Sequence, residues 1–480
     1  MSFLVAKDLL CYMRSCRALY YAGLPLLGRS AVFNGDPRTA KRGVDHQKRY
    51  QSFIRFIGVN PPLRCSYLRT VIICLEQTTP QLAEGIHQMV EHGRYLDTLQ
   101  LRLNCEDLLE ANPRIATAIS SLTNLKLLSL SRVGRKSYAM LSALQSSLIH
   151  ADIRILSKGA GFVNEALARS RFTLQTLFAV CDSIKDCDVV YTSVMELTLH
   201  GVPAQHTIGL LVRTFPVLRR LHMGIVIREP HATDAIEEVR RENIAAQADN
   251  CWDGLEYLSG DPVAFYLFAP QCRIQYLRFC PVTATNSRVL FSAICDTRPL
   301  SLDLIATVDS LSSLKRILND LNLALFASEV QCLKFVSVSD FLARYNRKKK
   351  HHTDLAAIAY EAARVAPSLR YIFFHLTGQP AVFFRVNQDE VGSKSLVELP
   401  VAEGKKLIKD EGLQRKIKHM DDGPLTLGPK SHPYFEAIMF NDRMIRSLNM
   451  MAPNGAWTSQ ASLLSTSTIL FLSTQPIHSV

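Results

Sequence analysis

Apolar residues recur in two alternating rhythms along this 480-residue chain, and both are visible between Val194 and Met223. Val194, Leu197 and Leu199 form an LxxLxL pattern whose alternating end suits a short strand with one buried face. After a turn at Gly201 to Pro203, Ile208, Leu211, Val212 and Phe215 fall at i, i+3, i+4 and i+7. That spacing lines one face of a helix, and Pro216 predicts its end. Leu218, Leu221 and Met223 then restart the strand pattern. A strand and a helix that are each apolar on one side must bury that side against neighbours, so the pattern predicts stacked strand-helix units.

The order recurs along most of the chain. LxxLxL-like starts fall at Leu68, Leu96, Leu125, Leu148, Leu174, Val194, Leu218, Leu255, Ile274, Val330 and Leu369, with a weaker copy near Leu300 to Leu304. Helices are predicted between them, for example through Leu82, Ile86, Met89 and Val90, and through Leu355, Ile358, Ala359, Ala362 and Val365. The block Ala366-Pro367-Ser368-Leu369-Arg370-Tyr371-Ile372 repeats Phe215-Pro216-Val217-Leu218-Arg219-Arg220-Leu221. Intervals are irregular but lie around the roughly 20 to 29 residues of leucine-rich repeats, which the pattern resembles in a degenerate form. Asn104 is one of the few residues matching the Asn/Cys position of that motif. The charged stretch 225–254 lengthens one unit and predicts an exposed helix or loop inserted in the array.

The N-terminus carries a second resemblance. Leu9, Met13, Cys16 and Tyr20 line one helix face, ended by Gly23 and Pro25. Phe3-Leu4, Lys7-Asp8-Leu9-Leu10, Met13, Cys16-Arg17 and Leu19 resemble the middle and back of an F-box, with its YLxxxDLLxxxxVCRxW-type pattern. The Leu-Pro dipeptide and first helix that open an F-box have no counterpart here, so the resemblance is to an N-terminally incomplete F-box. It implies a Skp1-like adaptor as partner, contacted by Lys7, Leu9, Leu10, Met13, Arg14, Arg17 and Leu19. It also implies a substrate-recognition subunit of a Skp1-cullin-F-box ubiquitin ligase, of the fungal-type F-box/leucine-rich-repeat kind. The alternative is a leucine-rich-repeat scaffold with no ubiquitin-ligase link.

Composition narrows the classes. Hydrophobic residues make up 48% of the chain, ample for a core, and Lys+Arg exceeds Asp+Glu by 55 − 43 = 12. Twelve of those cations but only three acids lie in residues 1–70, so the excess is concentrated at the N-terminal end. The twelve cysteines show no CxxC and no Cys/His spacing that specifies zinc, which favours reduced, buried thiols. No GxxxxGK[ST], GxSxG or HExxH occurs, so no catalytic residue, metal or cofactor is expected. Nucleic acid is disfavoured for want of interleaved exposed aromatics. No apolar run is long enough for a membrane span, and no signal peptide is expected, since Lys7 and Asp8 interrupt the apolar run at the start. The expected location is cytoplasmic, nuclear or both, with no homo-oligomer.

The expected architecture is therefore α/β: a leucine-rich-repeat solenoid, with a curved parallel sheet and helices on its convex side, preceded by a small helical F-box-like segment. Residues 1–33 form that segment, 34–62 a basic linker with an amphipathic helix on Tyr50, Phe53, Ile54 and Ile57, and 63–390 the solenoid. Residues 391–453 form a C-terminal cap and 454–480 a disordered tail. Between the buried leucines, the x positions face the concave side. Arg102, Ser129, His200, His222, Arg278, Lys334, Phe373 and His375 are expected there, on a weakly cationic surface suited to an acidic or phosphorylated protein target.

Overall fold

The computed structural model describes residues 29–34, 46–58, 60–74, 78–155, 162–180, 184–200, 208–224, 233–308, 311–327, 333–342, 354–376, 380–389 and 392–413. The F-box-like residues Lys7, Leu9, Leu10, Met13, Arg14, Arg17 and Leu19 lie outside them, as do the basic run 346–352 and everything after Leu413.

The LxxLxL pattern builds one open, mostly parallel sheet. Its strands are β1 (Ser30–Asn34), β2 (Thr70–Cys74), β3 (Thr98–Leu101), β4 (Leu127–Val133), β5 (His150–Ile155), β6 (Thr176–Val180), β7 (Glu196–His200) and β8 (Arg220–Gly224). There follow β9 (Leu255–Gly260), β10 (Ile274–Val282), β11 (Ser301–Val308), β12 (Phe335–Leu342), β13 (Tyr371–His375), β14 (Val382–Gln388) and β15 (Lys394–Leu399). Each pairs with the next in sequence order. The pairing of β7 with β8 is parallel, in the register Leu197↔Leu221, as the repeated Val194 and Leu218 blocks predict. Only β13–β14 and β14–β15 are antiparallel.

Register is set by one row of buried apolar side chains. Val71, Leu99, Leu128, Ala151, Leu177, Leu197, Leu221, Leu258, Leu277, Leu302, Val336 and Ile372 are neighbours across twelve strands. All are buried. A one-residue slip in any strand would turn its leucines to the other face, each losing roughly 1.5–3 kcal/mol of burial.

Among the described residues, helices fill most of the crossovers and cover that row, while the last one lies on the opposite face of the sheet. They are α1 (His46–Gly58), α2 (Pro61–Cys65), α3 (Pro80–His92), α4 (Cys105–Ala111), α5 (Arg114–Ser120), α6 (Arg135–Ser142) and α7 (Val163–Ala166). Beyond them come α8 (Ile208–Thr214), α9 (Thr233–Ala245), α10 (Pro262–Phe268), α11 (Leu290–Thr297), α12 (Leu311–Ala327), α13 (Leu355–Val365) and α14 (Val401–Asp410). Helix α3 shows the local logic: the Thr79 hydroxyl accepts from Leu82 N at 3.2 Å, Pro80 opens the first turn, and Leu82, Ile86, Met89 and Val90 are all buried.

Four expectations change. The sheet begins at β1, inside residues assigned to the F-box-like segment and linker, and α1 and α2 are the crossover between β1 and β2. Phe33 explains this, since it is buried with its ring 5.1 Å from that of Tyr50 on α1. Within 225–254, the described residues 233–254 are not an insertion, because α9 packs in as the crossover from β8 to β9 with its outer side exposed. Its buried Asn243 accepts from Ile208 N and donates to Leu267 O, while Trp252 donates to Phe215 O at 2.9 Å. The parallel stacking ends at β13, and the sheet turns back through the antiparallel β14–β15 hairpin into α14. At β12 the repeat frame is Leu333, Val336, Val338, so Lys334 lies one residue before the strand and Phe335 faces away from the main core. The Val336-Ser337-Val338-Ser339 alternation dictates that register.

Candidate functional site: the open face of the sheet

Alternate strand residues point away from the crossover helices, and on β4 to β12 they form a ladder of polar and aromatic side chains. Ser129 Oγ donates to Asp152 Oδ2 at 3.0 Å, and Asp152 accepts from Nε and Nη2 of Arg154 at 3.0 and 3.2 Å. The Arg154 guanidinium lies 4.8 Å over the Phe178 ring. Phe178, His200 and His222 follow at ring separations of 4.8 and 5.6 Å. His222 Nδ1 is hydrogen-bonded to the Ser259 hydroxyl. The rings of Tyr257 and Tyr276 stack at 5.5 Å beside it.

Beneath the tyrosines lies a buried ion pair. Arg278 Nε is 3.4 Å from Asp303 Oδ2, with side chains only 15% and 11% exposed. Tyr276 OH donates to Asp303 at 3.1 Å, and Arg278 is also hydrogen-bonded to Tyr257. Burial pushes the Asp303 carboxyl above its ordinary range against the opposing pull of Arg278. Burial, with Arg278 nearby, lowers the His222 imidazole to about 4, so at neutral pH this ring is uncharged.

These interactions correct the expected electrostatics. Each cation in the centre of the face is matched by an acid: Arg154 with Asp152, Arg220 with Glu196 and Glu256, and Arg278 with Asp303. The centre is therefore charge-balanced, not cationic, and Arg278 is held within the sheet surface. Ser129 is buried under Asp152. Arg102 is exposed just past the end of β3, and Lys334 precedes β12, so neither joins the ladder. His200 and His222 are brought together as the x-position rule predicts.

The C-terminal end of the face is occupied by the chain itself. Helix α14 lies across β12–β14, where Ile408 and Leu413 pack with Phe335, Tyr371 and Phe383 and partly bury Phe373. Lys405 Nζ stands 5.8 Å over the Phe373 ring. Phe373 is thus half-covered, while His375, 6.3 Å from it, stays exposed. Gly412 and Leu413 wall a cleft whose other lining includes Thr198, His222, Tyr257, Tyr276 and Ser301.

Ser259, Tyr257, Tyr276 and Asp303, together with Asp152, Arg154 and Phe178, are the ladder members absent from the sequence-based set. The LxxLxL frame at Leu255 and Ile274 assigns the first three to alternate positions, and the weak copy near Leu300 assigns Asp303. Among the described residues, no group of three or more His, Cys, Asp or Glu side chains is placed to hold a metal ion. No helix among them is long and apolar enough to cross a membrane. No family model matches the sequence, and no curated protein matches it.

Proposed function

We propose that the chain is a degenerate leucine-rich-repeat solenoid that serves as the substrate-recognition subunit of a Skp1-cullin-F-box ubiquitin ligase, holding a protein target against the open, concave face of its sheet. The observation that supports target recognition is the sequential stacking of β1 to β13. It lines up alternate side chains from many strands on one continuous surface, while the opposite surface is spent on the crossover helices. The charge-balanced ladder at the centre suits a partner recognised by shape, aromatic contact and hydrogen bonds. The ligase link rests on the F-box-like residues at the N-terminus alone, and the alternative is a scaffold with the same recognition face and no adaptor.

Co-purification with a Skp1-type adaptor tests the link. The full chain is expected to bind the adaptor, more weakly as salt rises, because Lys7, Arg14 and Arg17 lie among the apolar F-box positions and adaptors of that family are acidic. Leu9→Asp with Leu10→Asp is expected to weaken adaptor binding at least tenfold and leave thermal unfolding of the sheet unchanged. A full chain that captures no adaptor at low salt would remove the ligase reading and leave the scaffold.

A further inference from the structure

We propose that the aromatic patch on the open face of β12–β14 is a docking surface for an amphipathic helix of a protein partner, and that α14 with Glu411–Leu413 is the chain's own occupant holding it shut. The proposal rests on the open face being the recognition surface and adds how that surface is regulated.

The patch is a small apolar cluster of its own. Phe335, Tyr371 and Phe383 come from open-face positions, and Ile408 and Leu413 complete it from the segment above. The main core lies on the other side of the sheet, built on Val336, Ile372 and Phe384. Removing α14 therefore leaves the stacked repeats intact and uncovers three aromatic rings, with Phe373 beside them.

The fit shows what the patch accepts. A Cβ on Gly404 would stand 2.2–2.5 Å from atoms of the Phe383 ring, so the helix backbone rests directly on that ring. Ile408 follows one turn later and is buried, with Leu407 half-buried beside it, while Lys405, Lys406, Lys409 and Asp410 are exposed. The recognised element is thus an amphipathic helix with Gly at one position and aliphatic residues three and four further on. Polar contacts hold its end: Ser301 Oγ donates to Leu413 O at 3.0 Å, Tyr371 OH donates to the Glu411 carboxylate, and Arg370 stands 3.4 Å from that carboxylate.

The segment contributes few buried side chains of its own, Ile408 and Leu413 foremost, against the entropy of ordering residues 401–413. Its advantage is tethering, since a short connection from β15 raises its local concentration to the order of millimolar. A partner helix with better apolar contacts competes against that tether.

The test uses a labelled peptide spanning residues 400–413, added to the full chain and to full chains carrying Ile408→Asp with Leu413→Asp, or Gly404→Leu alone. Circular dichroism and thermal unfolding check that the sheet remains folded. The expected result is that either opened variant binds the peptide at least tenfold more tightly than the unaltered chain does. A Gly404→Leu peptide should bind neither, and Phe383→Ala placed in an opened variant should abolish binding. Equal peptide binding by unaltered and folded opened chains, or binding insensitive to Phe383→Ala, overturns the proposal. Adaptor co-purification from the same preparations reads the ligase assignment separately, so the two failures are distinguishable.

Discussion

Replacing Arg278 with alanine is expected to lower folding stability by about 3–5 kcal/mol, the range for removing one partner of a buried ion pair. Asp303 would remain between β10 and β12 with Tyr276 and Ser337 as its hydrogen-bond donors and no cation beside it. Its already raised pKa means that proton uptake absorbs part of the cost. The loss should therefore be smaller in mild acid than at neutral pH. The double variant Arg278→Met with Asp303→Leu is expected to recover much of the loss, because desolvation of both charges is then avoided. Urea unfolding of the unaltered chain, Arg278→Met, Asp303→Leu and the double variant gives the coupling energy. A single Arg278→Ala cost below about 1 kcal/mol would place Arg278 among exposed surface pairs, whose contribution is of that order, and not within a buried network.

The second large effect is on pH. The His222 pKa is depressed from 6.5 to about 4, so the folded chain resists protonating this ring while the unfolded chain does not. The stability this contributes is fully present above pH 6.5 and is lost as pH falls through about 4. Linkage sets its size at roughly 3 kcal/mol at most. Asp261, the N-cap of α10, acts in the opposite direction. Burial raises its pKa to about 6, so its folded-state penalty is relieved as pH falls through that value. The two partly cancel in the unaltered chain, and comparison with His222→Gln isolates the histidine. The unaltered chain should lose stability relative to the variant as pH is lowered from 6.5 to 4. Parallel stability curves for the two over that range would mean that His222 is solvated and protonated normally.

Much of the sheet was legible because a leucine at every second position near a strand's end admits one buried face and one register. Leu99, Leu197, Leu221, Leu277 and Ile372 all occupy the core row that their spacing predicts. The frame failed where both faces of a strand are covered. Phe335 and Val336 on β12, and Phe383 and Phe384 on β14, are consecutive buried residues, so alternation disappears. The cause is α14, which creates a second apolar surface on the open side. Its own sequence, rich in lysine with a glycine near its start, reads as a solvated end until Phe383 is known to lie beneath Gly404.

The candidate surface was legible as a face but not as a set of interactions. The x positions identify His200, His222 and Arg278 as neighbours in orientation. Their partners, Ser259 for His222 and Asp303 for Arg278, lie on other strands 37 and 25 residues away, and only cross-strand register brings them into contact. Arg278 therefore reads in sequence as a free cation and in the structure as half of an ion pair. Exposed Arg102 and half-buried Thr198 are better probes of recognition than Arg278, whose substitution confounds binding with folding.

Site-specific photo-crosslinking on the full chain shows which face of the sheet holds the target. A photoreactive residue is placed at Gln100 or Thr198 on the open face, or at Glu110 on α4 or Glu361 on α13 as helix-side controls. The same protein target is expected to be captured from positions 100 and 198 and not from 110 or 361, and excess unlabelled target should suppress the capture. Specific capture of the target from positions 110 and 361, with none from the open face, would contradict recognition at that face.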